Sequence, residues 1–162
     1  MSIILPAPDL LVFEFGKQNE LIISDAFGGT ANASALSSYK LSNNGKLSLI
    51  TGPVSTHQTA ACWVAVTKDG TYCYATNTGS NSISGYRITD EGALKLIDAN
   101  GITAVTGSTP IDMAPSRGSQ YLYALNEGSG SISAFKVSNN GGPTSLGEVS
   151  GISSSASGMA AR

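Results

Sequence analysis

The stretch YCYATNTGSNSISGYRI, Tyr72 to Ile88, returns almost unchanged as YLYALNEGSGSISAFKV, Tyr121 to Val137, 49 residues later. The spacing is the same from Tyr86 to Phe135. A more diverged copy lies upstream: ALSSYKLSNNGKLSLI (Ala35–Ile50) matches SISGYRITDEGALKLI (Ser82–Ile97), with Tyr39 47 residues before Tyr86. A repeat of this length constrains the fold strongly, because each copy must be one supersecondary unit that buries its apolar faces against its neighbours. Within each copy, apolar residues alternate in short runs bounded by turn residues, which is the pattern of strands. Copy one supplies LLVFEF, ELIISDAF, ALSSYKLS and KLSLITGPV; copy two CWVAVT, YCYATN, SISGYRIT and ALKLIDA; copy three IDMAPS, YLYALN, SISAFKVS and PTSLGEV. Nothing reads as a helix. Asn44-Gly45, Asp69-Gly70, Glu91-Gly92 and Asn140-Gly141 provide residues that tolerate positive φ where the chain reverses.

Four antiparallel strands repeated every 47–49 residues describe the blades of a β-propeller. The expected fold is all-β, one domain over residues 1–162, with blades at about 9–54, 62–105 and 110–151 and a strand stub at 158–162. A β-solenoid is the competing repeat fold, but its period is shorter and its turns do not alternate long and tight. In the propeller reading, Tyr39, Tyr86 and Phe135 recur as packing between sheets, and Trp63 belongs to the core of an innermost strand.

Composition removes several function classes. A net charge of −2, with 12% charged residues, leaves no basic surface for a nucleic-acid backbone. No apolar run approaches the roughly 20 residues of a membrane span. The opening MSIILPAPD lacks a signal peptide's positive start, so the chain as written reads as cytoplasmic. Cys62 and Cys73 flank a hairpin turning at Asp69-Gly70, which sets Cys73 opposite Val66 and Cys62 opposite Asn77. Four residues along a strand is about 13 Å, too far for a disulfide, so two buried, unreactive thiols are expected.

The stretches AACWVAVTKDGTYCYATNTGSNSISGYRITDEGALKLID and STPIDMAPSRGSQYLYALNEGSGSISAFKV resemble the β-propeller lactonase family, which includes 6-phosphogluconolactonase-type and carboxymuconate-cyclase-type proteins. The resemblance runs from about Pro6 to Arg162 and lies in the strands and turns rather than in any catalytic motif. Members of that family have seven blades and about twice this length. The chain therefore resembles their C-terminal half, with GMAAR as the start of one further strand.

In such a fold, the loops joining strand two to strand three share one face with the loops leading into each blade. They bring Asp25, Asn77, Asn126 and Glu127 together with His57, Gln58, Thr59, Ser108 and Thr109, while Lys68, Arg117 and the Asn-Gly turns fall on the opposite face. His57 is the single histidine, the one side chain whose ordinary pKa lies near neutrality. Lactone hydrolysis needs a base for water and donors for the oxyanion. His57 is the candidate base, with Glu127 or Asp25 to orient it, and Asp25, Gln58, Asn77, Asn126 and Ser108 are candidate ligand contacts. Each has a plainer reading: His57 as a polar loop residue, Glu127 as variation on Thr78, and Asp25 and Asp112 as turn caps.

GSGS at Gly128–Ser131 is no phosphate loop, since neither helix nor lysine follows. One histidine and two distant cysteines make no zinc set, and no cofactor is expected. G-x-S-x-G is absent. Two functions stand: a scaffold or small-ligand-binding module of lactonase type, and a hydrolase or cyclase acting on a sugar lactone or muconolactone. The shortage of cations in the channel loops favours the first. Three blades cannot close a ring of the usual four to eight, so a homodimer with about six blades is expected to cover the two open ends.

Overall fold

The computed structural model describes residues 12–153 and 155–161. The three copies form three antiparallel sheets whose strands follow one another in chain order. Blade one holds β1 (Phe13–Phe15), β2 (Glu20–Asp25), β3 (Ala35–Leu41) and β4 (Leu47–Ser55). Blade two holds β5 (Ala61–Val66), β6 (Tyr72–Asn77), β7 (Ser82–Ile88), β8 (Leu94–Leu96) and β9 (Ala104–Val105). Blade three holds β10 (Pro110–Pro115), β11 (Tyr121–Asn126), β12 (Ser131–Val137) and β13 (Pro143–Ser150). The fold is all-β, as the repeat predicts, and most strand ends lie within two residues of those read from sequence. Leu10 and Leu11 of the first expected strand, and the MSIIL head, lie outside the described residues.

Three local expectations need correction. The fourth strand of blade two is not one run from Ala93 to Ala99: β8 and β9 pair separately with the two ends of β7. Between them Asp98 to Gly101 loops out, closed by Gly101 N–H donating to Asp98 O at 2.8 Å. Gly101 has φ +77°, and a Cβ there would overlap the Thr56 carbonyl oxygen, so the loop seats on the segment leading into blade two only because the residue is glycine. Residues 158–161 form no strand. Finally, a short 3₁₀ turn, Phe27–Gly29, occupies the β2–β3 loop.

The sheets pack because alternate residues on each face are apolar. Ile22 and Leu36 of blade one meet Val64, Cys73, Ala75, Tyr86 and Ile88 of blade two. Ala65, Tyr74 and Ile83 of blade two meet Met113, Leu122, Ala124 and Phe135 of blade three. Two hydroxyls tie the blades further: Tyr86 donates to Val54 O at 3.2 Å and Tyr74 to Gly141 O at 2.8 Å. In blades two and three the third-strand aromatic therefore faces the preceding blade. Tyr86 is 0% and Phe135 1% exposed. Among the described residues no blade precedes Tyr39, which is half-buried.

The β5–β6 hairpin pairs Val66 with Cys73 as expected, but Asn77 faces Ala61, not Cys62. A bulge between Ala61 and Trp63 takes up Cys62, and the same bulge lies between Pro110 and Asp112 in blade three. Both thiols are free. Cys73 is buried and Cys62 only half-buried. Trp63 is also half-buried, and with Glu14, Met113 and Met159 it lines a cavity of about 340 Å³ beside the innermost strands.

Candidate functional site

The β6–β7 and β11–β12 loops are built alike, each on the segment that leads into its own blade. Thr78 N–H donates to Ala60 O at 2.9 Å and Gly79 N–H to Thr59 O at 3.1 Å; in blade three Glu127 N–H donates to Thr109 O at 2.9 Å and Gly128 N–H to Ser108 O at 3.0 Å. Serine hydroxyls return the bond: Thr59 N–H donates to Ser80 Oγ at 2.8 Å and Ser108 N–H to Ser129 Oγ at 3.1 Å. The glycine in each loop is what permits this approach. A Cβ on Gly128 would lie 2.6 Å from Thr109 Oγ1, and one on Gly79 2.7 Å from Thr59 Cγ2.

The loops also bond from blade to blade. Asn32 N–H donates to Thr59 Oγ1 at 3.0 Å, Thr109 N–H to Asn81 Oδ1 at 2.8 Å, and Thr78 Oγ1 to Pro110 O at 2.8 Å. The loops of all three blades thus form one continuous polar face, the one on which the candidate residues were expected to gather. None of its loops carries a lysine or arginine.

The predicted residues divide into three groups on this face. Asn77 and Asn126 are fully buried; the amide of Asn77 donates to Ser82 and Ser84, and that of Asn126 to Ser131 and Ser133, at 2.8–3.1 Å. Their Oδ1 atoms have no protein partner. Gln58 is buried too, its amide donating to Asn100 O at 2.9 Å on the looped-out segment of blade two. These three side chains hold the blade ends together. Asp25 accepts from Phe27 N–H at 2.8 Å and so caps the 3₁₀ turn. Ser108 and Thr109 lie side by side with hydroxyls 3.3 Å apart, Ser108 exposed.

His57 and Glu127 are exposed and share no hydrogen bond with each other or with Asp25 among the described residues. His57 instead closes on its own loop, its N–H donating to Ser55 Oγ at 2.9 Å and its Nδ1 3.4 Å from the same hydroxyl. Its φ of +55° lies in the left-handed region; Thr56 N–H bonds Ser34 O as Thr106 N–H bonds Asn81 O, and from there to Ala60 and its equivalent Thr109 the connection into blade three is one residue shorter. Glu127 replaces Thr78, whose hydroxyl bonds the following blade; among the described residues Glu127 has no bond of that kind.

Sequence reasoning passed over one pair, whereas Asp112, read from sequence as a turn cap or backbone tie, does bond backbone. Ser80 and Ser129 fasten the loops, and their signal was the repeated G-S-x-S itself. Asp112 is buried on the innermost strand and accepts N–H bonds from Met113 and Met159; burial raises its carboxyl above the ordinary value against the pull of those two donors. No group of three or more His, Cys, Asp or Glu among the described residues is placed to hold a metal. A cavity of about 640 Å³ lies at the other end of the blades between the β1–β2, β5–β6 and β10–β11 turns, lined by Lys17, Lys68, Asp69, Tyr72 and Ser119 among others. No helix of the described residues is long and apolar enough to cross a membrane.

Comparison with known proteins agrees with this architecture. A functionally unknown protein from Desulfotomaculum acetoxidans superposes with a TM-score of 0.73 at 17% identity, over 89% of this chain and 43% of that one. A protein assigned as a 6-phosphogluconolactonase from Bacteroides fragilis gives 0.71 at 16% identity, over 87% and 39%. The periplasmic gluconolactonase of Pseudomonas aeruginosa gives 0.65 at 17% identity, over 90% and 43%. The chain thus spans well under half the length of these structures, and the likeness is one of fold. No curated protein sequence matches it. Residues 30–154 match the family described as Lactonase, 7-bladed beta-propeller. The chain belongs to this family of seven-bladed lactonase-type β-propellers.

Proposed function

We propose that the chain is a non-catalytic binding module of lactonase type, whose loop face takes a small, neutral polar ligand of the sugar or sugar-lactone class. The observation that carries this reading is the environment of His57. A general base is held by a second group that fixes its ring and balances its charge. The His57 ring meets the Ser55 hydroxyl and no carboxylate. The other loops of this face offer hydroxyls and amides, among them Asn81, Ser108 and Ser129, and among the described residues these loops carry no lysine or arginine to hold an acid or phosphate.

Titration with D-glucono-1,5-lactone, followed by NMR, tests the reading. The expected result is a set of shifts confined to the loop amides of Ser80, Asn81, Ser108, Thr109 and Ser129, with lactone lost at the buffer rate. Shifts elsewhere, or none, overturn it. One feature favours a second reading, lactone hydrolysis: His57 holds a left-handed backbone in a connection one residue longer than the one into blade three, and such conformations gather at functional sites. In that case lactone loss exceeds the buffer rate, and His57→Ala reduces it roughly a hundredfold.

A further inference from the structure

The two ends of the blades differ in charge. Among the described residues the loop face carries no lysine or arginine, whereas the first hairpin turn of all three blades opens on one. Gly16, Thr67 and Ser116 close these turns, their N–H groups donating to Glu20 O, Tyr72 O and Tyr121 O at 2.8–2.9 Å. The next residue is Lys17 in blade one, Lys68 in blade two and Arg117 in blade three. Lys17 and Lys68 line the cavity of about 640 Å³ at this end, together with Asp69, Tyr72, Ser119 and Gln120.

The turns are fastened to one another around the cavity. Lys68 N–H donates to Ser119 Oγ at 2.8 Å, and the Tyr72 hydroxyl donates to Asn139 O at 3.0 Å, both from blade two to blade three. Lys17 stands so close over the β5–β6 turn that a Cβ on Gly70 would lie 2.7 Å from Lys17 Cβ, which brings blade one to the same rim. The apolar part of the wall, Tyr72 and Val137, belongs to the packed junction of blades two and three. The cavity is therefore formed wholly within the described blades.

Its charges are unspent. Neither ammonium has an ion pair or hydrogen bond among the described residues. The carboxylate of Asp69 is held inside its own turn, accepting from Thr67 Oγ1 at 2.6 Å and Thr71 N–H at 3.0 Å. The Thr67 hydroxyl above all keeps it below the ordinary carboxylate range, and neither lysine contributes. Blade three has Gly118 where blade two has Asp69, so its turn adds no acid. With Arg117 next to Gly118, three cations stand against one carboxylate at this rim, a formal surplus of two.

We propose that this cavity is a second binding site, for a small organic dianion that carries a hydroxyl group, a phosphate monoester or a dicarboxylate. Lysine binds such groups as a point charge on a flexible stem, so ammoniums from two turns suit two negative charges. The Ser119 hydroxyl and the Gln120 amide bond the ligand's hydroxyl, and the Tyr72 ring supplies an apolar wall. The volume lies within the roughly 300–1,000 Å³ of small-ligand sites. The site is at the opposite end of the blades from the loop face and is independent of what that face binds.

NMR titration with sn-glycerol 3-phosphate, L-malate and glycerol tests this. A dianion is expected to shift the amides of Lys17, Lys68, Ser119 and Gln120, to leave Ser80 and Ser129 on the loop face unmoved, and to bind more weakly as salt is raised. Shifts with glycerol 3-phosphate alone assign a phosphate ester, and shifts with malate alone a dicarboxylate. Lys17→Gln and Lys68→Gln alter exposed side chains, and each is expected to weaken binding roughly tenfold. Lys46→Gln, in the exposed β3–β4 turn at the same end, is expected to leave it unchanged. Gly118→Asp introduces the carboxylate that blade two carries, at a position where a Cβ meets nothing nearer than Gln120 Cγ at 4.0 Å, and is expected to weaken binding as well. No shift with either dianion at 10 mM overturns the proposal, as do equal shifts with glycerol. So does unaltered binding in both lining variants, or an equal loss in Lys46→Gln, which shows a diffuse attraction of the whole end in place of a site.

Discussion

Tyr39, Tyr86 and Phe135 occupy one position in three copies of the repeat, yet truncating them is expected to cost very different amounts. Phe135 is 1% exposed and packed between blades two and three, so Phe135→Ala removes the ring's transfer free energy and leaves a cavity, together about 3–5 kcal/mol. Tyr86→Ala falls in the same range and also strips the Val54 carbonyl of its donor; Tyr86→Phe, which removes only that 3.2 Å bond, costs about 1 kcal/mol. Among the described residues the Tyr39 ring has a sheet on one side and no facing blade on the other. Tyr39→Ala therefore forfeits about half the 1.5–3 kcal/mol of a fully buried large side chain, roughly 1 kcal/mol, and opens no enclosed cavity. For a domain stable by about 5–15 kcal/mol these differences are easily resolved. Urea unfolding at submicromolar protein, with the slope checked for constancy across the series, supplies the comparison. A Tyr39→Ala cost equal to that of Phe135→Ala under those conditions would refute the reasoning, because position in the repeat, not the presence of a facing blade, would then decide the cost.

Three further outcomes follow from single sites. Thiol titration of the native protein is expected to label Cys62 slowly and Cys73 only on denaturation, since burial pushes the Cys73 thiol far above its ordinary value; equal rates would contradict the burial difference. Gly128→Ala crowds Thr109 Oγ1 at 2.6 Å and is expected to cost about 1–3 kcal/mol, several degrees of melting temperature; an unchanged melt would show that the loop does not need the close approach. Asp112 has a folded pKa raised above the ordinary 3.8, so it binds its proton more tightly folded than unfolded, and its contribution is present below that value and lost as pH rises through the raised one. The urea midpoint of the parent should therefore fall over that window relative to Asp112→Asn, and parallel profiles would remove the assignment.

The repeat made most of the fold legible because alternation and turn residues are local signals, and Tyr86 and Phe135 behave as their shared position predicts. Tyr39 does not, although its sequence context is the same, because burial there depends on a neighbour that no local pattern describes. The bulges at Cys62 and Ile111 shift register without a distinctive residue type, and only their recurrence in two blades marks them as designed. The break in the fourth strand of blade two did carry a signal, Asn100-Gly101, a turn pair inside an apolar run. The candidate site was harder to read. Asn77 and Asn126 look like ligand contacts as amides in a loop, but each recurs with the same two serines at fixed spacing, which is the mark of an internal tie. His57, by contrast, stands at a break in the repeat, so no matching residue in the other blades marks it as a tie.

Native-state hydrogen exchange by mass spectrometry tests most directly the claim that each blade is held by the blades on either side of it. At 1 µM the account predicts slowest exchange in β6 and β7, whose blade is covered on both faces, and fastest in β1 and β13, which edge the described blades. Uniform protection across the three blades at 1 µM, or end strands slower than β6 and β7, would contradict it.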